Sequence, residues 1–413
     1  MNRRRVVITG MGTVNPLANN VPEYWAGLLA GRSGIATLTQ FDVSAFPVRF
    51  GGEVKNFNPA VSGLDGKSIR RIDRFSQFAM CAAAEAVDDS GLDLSKEDPF
   101  RCGVILGCGI GGLAELESGH SSFLTGGIRR LGPLMIPKMI SNAAPGNISI
   151  HLGLCGPNTS VATACASAGN AVADAVRTIR ADEADIMISG GTEAAITPLG
   201  LGGFCALRAL SQRNDDPQAA SRPFDKDRDG FVLSEGAGIV VLEEYEHAKR
   251  RGAKIYCELL GCGATADAYH ITAPHPEGKG AIRAMQNALR DARIAPEEVQ
   301  YVNAHGTSTD LGDVAETGAI KQVFGEHARR LAVSSTKSMI GHLLGASGGV
   351  ELIVCALSIY RGALHPTINL NSPDPQCDLD YVPNTAREVK VKFAISNSFG
   401  FGGHNSCLAV GAV

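Results

Sequence analysis

Short apolar runs alternate with longer amphipathic segments along most of the chain. Two longer segments, 73–90 and 167–181, place apolar residues at intervals of three and four, which predicts helices, and Gly91 ends the first. This alternation predicts an α/β fold with helices covering the sheets. The short runs predicted to be buried strands are 5–9, 102–106, 185–189, 255–260, 299–304, 331–335 and 391–396.

Two stretches share one order of elements, namely strand, small-residue turn, helix, strand and glycine-rich turn. The first is 159–193, containing SVATACASAG and MISGGTEA, and the second is 331–405, containing AVSSTKSMIGHLLGASGG and AISNSFGFGGHN. The parallel favours an internal duplication with halves 1–252 and 253–413, and the alternative is the generic similarity of βαβ units. No low-complexity linker separates the halves, so we expect one compact unit.

Composition narrows the class of protein. The 413 residues, 44% of them hydrophobic, can bury a large core, and 38 Lys and Arg against 42 Asp and Glu give a net charge of −4. That balance argues against nucleic-acid binding through bulk positive charge. The 11 cysteines form no CxxC pair, which fits reduced thiols in a cytoplasmic protein better than a disulfide framework or a zinc site.

Two segments resemble targeting or membrane elements only in part. The arginines at positions 3–5 are typical of a signal peptide, but the apolar residues after them stop at Thr9 and Gly10, too soon for its hydrophobic region. The apolar stretch 349–360 is short and carries Glu351. We therefore expect a protein that is not inserted in a membrane.

Cys165 is the candidate nucleophile, because it lies in TACAS between a predicted strand and the start of a predicted helix. Unpaired N–H groups and the positive end of the helix dipole favour a thiolate there, so we expect a pKa below the reference of about 8.5. Small neighbours leave the sulfur accessible. The alternative is a buried structural thiol, a common role of cysteine in a protein core.

Two histidines lie in loops that are suited to an active site. His305, in NAHGTSTD, follows a predicted strand, and His342, in KSMIGHLLGA, precedes a predicted helix. Open α/β sheets place their active sites at strand ends of this kind. A histidine taken alone is more often a hydrogen-bonded structural residue, and it is the combination with Cys165 that indicates catalysis.

Four motifs resemble those of the β-ketoacyl-acyl carrier protein synthases of the thiolase superfamily, and the type II elongating group is the most similar. They are TACASAG around Cys165, NAHGTSTDLGD around His305, STKSMIGHLLGASGGVE at 335–351 and NSFGFGGHN at 397–405. The resemblance runs from VVITGMG to the final strand. It implies a duplicated five-layer α-β-α-β-α core and a homodimer. His404 departs from the Thr that many members carry at this position, which leaves the local hydrogen bonding open.

The resemblance also implies a mechanism. Cys165 accepts an acyl chain as a thioester from an acyl carrier protein; malonyl carrier protein then loses CO2 and attacks that thioester, which elongates a fatty acid by one two-carbon unit. Neutral His305 and His342 stabilise the enolate oxygen as hydrogen-bond donors. Backbone N–H groups of Cys165 and Phe401 bind the second oxyanion. The phosphopantetheine arm arrives on the carrier protein, so the enzyme needs no cofactor of its own and no metal.

Further residues match family positions. Lys337 and Glu351 match a charged pair that orients the His342 loop, and a structural ion pair is the alternative. Thr307 and Thr309 match the pantetheine tunnel, where hydroxyls bond its amides, although both also suit a capped turn. Residues assigned to the acyl pocket and its gate are Ile110, Phe399 and Phe401, and Ile110 is equally explained as interface core.

Two larger sets follow from the same resemblance. A basic cluster is predicted to receive the acidic helix of the carrier protein, and a solvated face is the alternative; it consists of Lys67, Arg70, Arg71 and Arg74, with Arg129, Arg130 and Arg208 as outlying members. A monovalent cation is held in some relatives by the residues corresponding to Asn303, Glu316, Glu351, Ser396 and Asn397.

Other functions are weighed against this interpretation. A type II polyketide ketosynthase has the same Cys-His-His chemistry, and a noncatalytic chain-length subunit is disfavoured by the presence of Cys165. The run 225–230 imitates a calcium loop, but Gly236 stands where a bidentate Glu is required. The glycines of 107–112 fit no nucleotide-binding motif, so we expect no nucleotide cofactor. The preferred chain length does not follow from the sequence.

Overall fold

The computed structural model describes residues 3–413. Its strands are β1 (Val6–Val14), β2 (Ala36–Thr37), β3 (Phe50–Gly51), β4 (Cys102–Gly107), β5 (Asn158–Val161), β6 (Ile186–Glu193), β7 (Gly236–Glu244), β8 (Cys257–Ala266), β9 (Tyr301–Asn303), β10 (Ala332–Ser334), β11 (Ala363–Leu364), β12 (Arg387–Glu388), β13 (Phe393–Gly400) and β14 (His404–Gly411).

The α-helices lie between these strands. They are α1 (Val21–Leu29), α2 (Gly66–Ile69), α3 (Arg74–Ser90), α4 (Leu113–Gly126), α5 (Met135–Met139), α6 (Ala143–Leu152), α7 (Ser167–Arg180), α8 (Pro198–Ala206), α9 (Tyr245–Arg250), α10 (Lys279–Ala292), α11 (Asp310–Phe324), α12 (Lys337–Ile340) and α13 (Ser347–Arg361).

The main sheet repeats one pattern twice. Its ten strands follow the order β10-β9-β13-β14-β8-β1-β7-β6-β4-β5. In each half, counted from the outer edge, the first three strands are parallel and the next two are antiparallel. Within residues 3–413 the two half-sheets are hydrogen-bonded to each other where β1 pairs with β8, at Val7 with Glu258 and Ile8 with Cys257. The expected boundary at 252/253 lies between α9 and β8.

Helices form three layers around the two half-sheets. α7 and α13 pack on each other and contact strands of both halves, while α3 covers the outer face of one half and α10 with α11 covers the other. Each interface is filled by its own cluster of buried apolar residues. The expected α/β fold with a five-layer α-β-α-β-α core is confirmed.

The boundaries of the elements show why the apolar pattern was partly misleading. Helices α3 and α7 agree with the predicted 73–90 and 167–181 to within a residue at each end. Strand β1, by contrast, continues past the predicted end because Gly10 and Gly12 face α3, where an added Cβ would lie 2.0 Å from the carbonyl oxygens of Ala86 and Ala82. Strands β7 and β14 lie outside the predicted runs.

One helical segment of residues 3–413 is long and apolar enough to cross a membrane. It spans Leu344–Arg361, because a 3₁₀ turn precedes α13, and is therefore longer than the stretch 349–360 indicated by the sequence. Within the fold 83% of this segment is buried. That burial is typical of a core helix, in keeping with its central layer position.

Candidate active site

Cys165 lies in a strained turn between β5 and α7. The 3₁₀ turn Ala164–Ala166 begins with Ala164 at φ +49°, a conformation that L residues rarely adopt. Ser167 stabilises this turn, since its Oγ accepts from the Thr163 N–H at 2.9 Å and donates to the Ala164 carbonyl at 2.6 Å. The turn places Cys165 at the start of α7, as the sequence predicted, and the side chain is buried but lines a cavity.

The structure brings Cys165, His305 and His342 together. One sulfur or ring-nitrogen atom from each of the three lies within 4.8 Å of the other two. The two imidazoles are 5.3 Å apart between centroids and nearly perpendicular. The backbone of the His305 loop is fixed by Glu316, whose carboxylate accepts the N–H groups of His305 at 2.9 Å and Gly306 at 2.8 Å.

The surroundings of His342 determine which ring nitrogen carries the proton. The Leu344 N–H points at Nδ1 at 3.3 Å, and Ser347 Oγ lies 2.9 Å from the same atom. Because a backbone N–H can only donate, Nδ1 is the acceptor and Ser347 is its second donor. We therefore assign the proton to Nε2, which makes His342 a hydrogen-bond donor through that atom.

Both histidines are neutral. Burial lowers the pKa of His305 and of His342 well below the ordinary value, and the nearby Lys337 cation lowers both further. His305 Nδ1 is buried and has no hydrogen-bond partner within residues 3–413. Neutral imidazoles can donate to a developing oxyanion without carrying a charge of their own.

The expectation of a low Cys165 pKa is wrong. Burial raises the pKa of the thiol to about 11, and this outweighs the Lys337 charge and the backbone N–H groups of Phe401 and Cys165, which act in the opposite direction. The helix start was correctly located, but desolvation was not visible in the sequence. The Phe401 N–H comes close because Gly400 has no side chain; a Cβ there would lie 2.9 Å from the Cys165 nitrogen.

Lys337 and Glu351 form a buried ion pair beneath the histidines. Lys337 begins α12, Glu351 lies in the first part of α13, and their side chains are 1% and 0% exposed. Burial raises the pKa of Glu351 to about 7, while Lys337 opposes that rise. The pair holds α12, which precedes His342, against the central helix, and the lysine is the cation whose field reaches both imidazoles.

A cavity of about 540 Å³ leads to these residues. Thr307 and Thr309 lie in its wall with their hydroxyl oxygens 3.0 Å apart, and Phe399 packs edge-on against the His305 ring at 5.8 Å. Ile110 also lines the cavity and is 43% exposed in the single chain. The lining residues that match the sequence predictions are Ile110, Cys165, Arg208, His305, Thr307, Thr309, Glu316, His342, Phe399 and Phe401.

Sequence reasoning missed two residues that shape this site. Phe231 packs against the His342 ring at 5.5 Å, and no motif pointed to it. Glu193 contributes a buried carboxylate to the cavity wall. Its signal was available, since Glu193 lies in the glycine-rich turn MISGGTEA that follows the predicted strand 185–189.

The residues suggested for a monovalent cation contain unpaired buried oxygens. Asn303 Oδ1, Asn397 Oδ1 and Glu351 Oε2 have no hydrogen-bond partner within residues 3–413. Ser396 pairs with Asn303 across β13 and β9. The side-chain NH2 group of Asn397 donates to Glu316 at 3.1 Å, so the Asn397 Oδ1 points away from that carboxylate. Such oxygen donors suit a hard cation, so the residues present fit one.

The predicted basic cluster is only partly available at the surface. Lys67, Arg70 and Arg71 are exposed. Arg74 is not a free docking charge, because it pairs with the buried Glu235 at 2.7 Å and lies over the Phe78 ring at 4.7 Å. The prediction that Arg74 belongs to the exposed cluster is therefore wrong, because the buried Glu235 carboxylate needs a cation beside it. Of the outlying members, Arg208 lines the cavity.

Comparison with known proteins shows similarity over the whole chain. Residues 3–248 match the family described as "Beta-ketoacyl synthase, N-terminal domain" and residues 256–371 match "Beta-ketoacyl synthase, C-terminal domain". A 3-oxoacyl-(acyl-carrier-protein) synthase 2 from Coxiella burnetii is 54% identical over 413 residues, with 100% of both chains covered. The protein of the same name from Synechocystis is 54% identical over 99% of this chain and 98% of its own.

Solved structures share the fold. A β-ketoacyl synthase from Burkholderia phymatum is 36% identical with a TM-score of 0.92, covering 99% of this chain and 100% of its own. A ketosynthase solved in complex with its type II polyketide acyl-carrier protein and bound to the hexaketide is 37% identical, with a TM-score of 0.93 and full coverage of both chains. The similarity thus concerns the complete architecture and not one motif.

Proposed function

The chain belongs to the β-ketoacyl synthase family, and from that premise we propose that it elongates acyl chains on a carrier protein by decarboxylative Claisen condensation with a malonyl group. The observation that carries the proposal is the approach of the Cys165 sulfur and one nitrogen of each of His305 and His342 to within 4.8 Å, in the wall of a cavity of about 540 Å³. The enzyme is an acyltransferase.

The first step transfers the acyl group to Cys165. The sulfur forms a bond to the acyl carbonyl carbon, the pantetheine sulfur leaves, and the thiol proton passes to that leaving group. A pKa of about 11 means that little thiolate exists beforehand. Backbone N–H groups of Cys165 and Phe401 lie at the Cys165 sulfur, which supports their proposed role in holding the carbonyl oxygen as it becomes negative, and Lys337 favours the thiolate electrostatically.

The second step requires neutral donors. The carbon–carbon bond to the malonyl carboxylate breaks, CO2 leaves, and the electron pair forms an enolate whose oxygen needs stabilisation. His342 donates from Nε2, and neutral His305 stands at a right angle to it. The enolate carbon then bonds to the acyl carbonyl carbon, the Cys165 sulfur leaves as a thiolate, and a proton from solvent restores the thiol.

The identities favour the fatty-acid reaction over the polyketide alternative. The relatives named 3-oxoacyl-(acyl-carrier-protein) synthase 2 are 54% identical, against 37% for the polyketide ketosynthase bound to a hexaketide. Thr307 and Thr309 support binding of a pantetheine arm, because both line the same cavity as Cys165 and carry hydroxyls that can bond its amides. The carrier protein brings this arm, so no separate cofactor is proposed.

The surface supports a negatively charged carrier protein as partner. Lys67, Arg70 and Arg71 are exposed, and Arg208 lies at the cavity wall. Exposed positive charge attracts an acidic partner and orients it during approach. Charge reversal at Lys67 or Arg70 is expected to raise KM for acyl carrier protein and to leave kcat nearly unchanged.

A homodimer is supported by an open sheet edge and nearby apolar surface. Strand β5 is the outer strand of its half-sheet, and an unpaired edge of this kind favours pairing with another chain. The apolar surface lies in the segment that follows β4, whose exposed apolar residues include Ile110, Leu116, Phe123, Leu124, Ile128, Leu134, Ile136 and Ile140. If the protein is a homodimer, light scattering should give twice the chain mass.

A monovalent cation is proposed at the unpaired oxygens of Asn303, Asn397 and Glu351, with Glu316 and Ser396 as neighbours. When bound, it would supply positive charge that balances the buried carboxylates. Thermal unfolding in potassium and in a bulky organic cation tests the ion site, and a higher Tm in potassium is expected.

We further propose that the enzyme works in the cytoplasm, since all its cysteines are free thiols.

The reaction is tested with purified protein, an acyl carrier protein substrate and malonyl carrier protein. We expect release of CO2 and a β-ketoacyl carrier protein lengthened by one two-carbon unit. Intact mass of the protein after incubation with a mixed acyl pool should show one acyl group, and its mass reports the preferred chain length. Absence of both the lengthened product and the acylated protein would refute the proposed function.

A further inference from the structure

Glu193 is a buried carboxylate that the condensation mechanism does not use. It ends β6, is fully buried, and accepts hydrogen bonds from the backbone of two separate loops. Its Oε2 accepts from the Gly109 N–H at 2.8 Å and from the Gly345 N–H at 3.1 Å, while Oε1 accepts from Ile110 at 3.1 Å. A single side chain thus bridges segments that lie far apart in the sequence.

The two loops have different tasks in the site. The first carries Ile110, which lines the cavity, and the second follows directly after His342. Leu344 donates its N–H to the His342 ring and has φ +50°, an unfavourable conformation that surrounding contacts must hold in place. The next peptide N–H, that of Gly345, is the group bound by Glu193. The carboxylate therefore supports the strained turn that orients His342.

The loops also lie in direct contact at this point. A Cβ added to Gly345 would lie 2.4 Å from the Gly109 nitrogen, and a Cβ on either glycine would lie 2.8 Å from Glu193 Oε2. Where the two loops touch, these distances leave no room for an added atom, although the other side of Ile110 faces the cavity. A shift of the Ile110 loop towards Gly345 therefore displaces the carboxylate, the Gly345 peptide, or both.

We propose that Glu193 is a positioning residue that couples the acyl-pocket wall at Ile110 to the hydrogen-bond donor His342. The occupant of the acyl pocket thereby influences malonyl decarboxylation in the same site. The inference rests on the proposed condensing function. The charge of Glu193 acts on the nucleophile as well, since its negative field raises the pKa of Cys165.

Gly109→Ala tests the coupling most directly, because the change lies in the Ile110 loop while the main readout concerns His342. Its Cβ would press on Glu193 Oε2 at 2.8 Å, and the next nearest atom is 3.6 Å away. We expect malonyl decarboxylation to fall about tenfold, as a small misplacement of a catalytic group does. The ratio of condensation rates with a short and a long saturated acyl thioester should change in the same variant.

Glu193→Gln provides a second variant of nearly equal volume. One oxygen becomes an NH2 group facing backbone N–H donors. At the Oε2 position this removes the acceptor of Gly109 and Gly345, and at the Oε1 position it removes the acceptor of Ile110. The same loss of decarboxylation is expected, together with a shift of the pH profile of Cys165 alkylation to lower pH, because a negative charge beside the thiol is removed. The alkylation profile reports the charge of Glu193 near the thiol, whereas the coupling itself is read from decarboxylation together with the acyl-length ratio.

Glu85→Gln is the matched control. Glu85 also accepts backbone N–H groups from two segments, Thr13 at 2.9 Å and Val21 at 2.7 Å, but it does not line the cavity. Rates are expressed per Cys165 thiol that reacts with iodoacetamide, which counts correctly folded sites. The control should keep decarboxylation, acyl-length ratio and alkylation profile.

Three results would overturn the coupling. Gly109→Ala could change the acyl-length ratio while decarboxylation stays at the wild-type rate, both readouts could stay unchanged in both variants, or the losses could vanish after normalisation to reactive Cys165. If wild-type protein neither decarboxylates malonyl carrier protein nor condenses, the proposed function itself fails, and the coupling fails with it. The wild-type measurement therefore distinguishes failure of the coupling from failure of the proposed function.

Discussion

The two halves of the molecule build the same turn and use it differently. In the first half the 3₁₀ turn Ala164–Ala166 leads through Ser167 into α7; in the second half Leu344–Ala346 leads through Ser347 into α13. The first residue of each turn has nearly the same positive φ, +49° and +50°. The shared geometry places the second residue of each turn beside the start of a central helix.

The residue at that second position decides the task of the turn. It is Cys165 in the first half, whose sulfur lines the cavity, and Gly345 in the second, which offers only its N–H to Glu193. The serines that begin α7 and α13 also differ in their hydrogen-bond partners. Within residues 3–413, the Ser167 hydroxyl bonds to the backbone of its own turn, whereas the Ser347 hydroxyl bonds to the His342 ring. One half therefore carries the nucleophile, and the other uses the same turn to orient a donor.

The largest expected effect comes from removing the nucleophile in the first turn, which should abolish condensation and spare part of the decarboxylation. Cys165→Ala should lower condensation by a factor on the order of 10⁴ or more, since it removes the nucleophile. Malonyl decarboxylation should persist in part, because it depends on the histidine donors. Product formation and CO2 release measure the two activities. Cys155→Ala, an exposed cysteine, is the control, and condensation at the wild-type rate by Cys165→Ala would exclude it as nucleophile.

Removal of a histidine should produce the opposite pattern. His342→Ala and His305→Ala are each expected to slow decarboxylation by about 10²–10³, the usual result of removing an oxyanion donor. Transfer of an acyl group to Cys165 should continue and be visible by intact mass. His151→Ala changes an exposed histidine and should have no effect. Unchanged CO2 release in both active-site variants would remove their assigned role.

Lys337 supplies a positive charge that acts on Cys165 in the first turn and on His342 beside the second turn. With a Cys165 pKa of about 11, the alkylation rate should rise with pH from neutrality to about 11, because the thiolate is the reactive form. Lys337→Met removes a cation that favours the thiolate, so the midpoint should move to higher pH and the rate at pH 8 should fall about threefold to tenfold. Lys249→Met, which removes an exposed lysine of α9, is the control. Equal or faster alkylation of the Lys337 variant would contradict the electrostatic role.

The smallest effects distinguish the two serines. Ser347→Ala should slow decarboxylation about fivefold, the equivalent of one hydrogen bond, because His342 loses a donor that fixes its tautomer. Ser167→Ala should instead lower the free energy of unfolding by about 1 kcal/mol and leave decarboxylation nearly unchanged. CO2 release and urea unfolding of both variants measure this, and each variant controls for the other. The same effect on activity in both would show that the turns do not differ as described.

Local residues determined much of this protein in advance. The 3.6-residue periodicity and Gly91 located α3, and the small residues around Cys165 located a strand, a turn and a helix start. The motifs around His305 and His342 identified the family and its fold. These features depend on neighbours in the sequence, because turn geometry, capping and amphipathic faces are local properties.

Only the tertiary structure decided the quantities that depend on distant segments. The Cys165 pKa follows from burial by surrounding elements, so a helix start alone gave the wrong direction. Arg74 is engaged because Glu235 lies beside it in space, 161 positions away. Glu193 joins Gly109 to Gly345 for the same reason. Desolvation and long-range hydrogen bonds exist only once the chain is folded, and no local pattern encodes them.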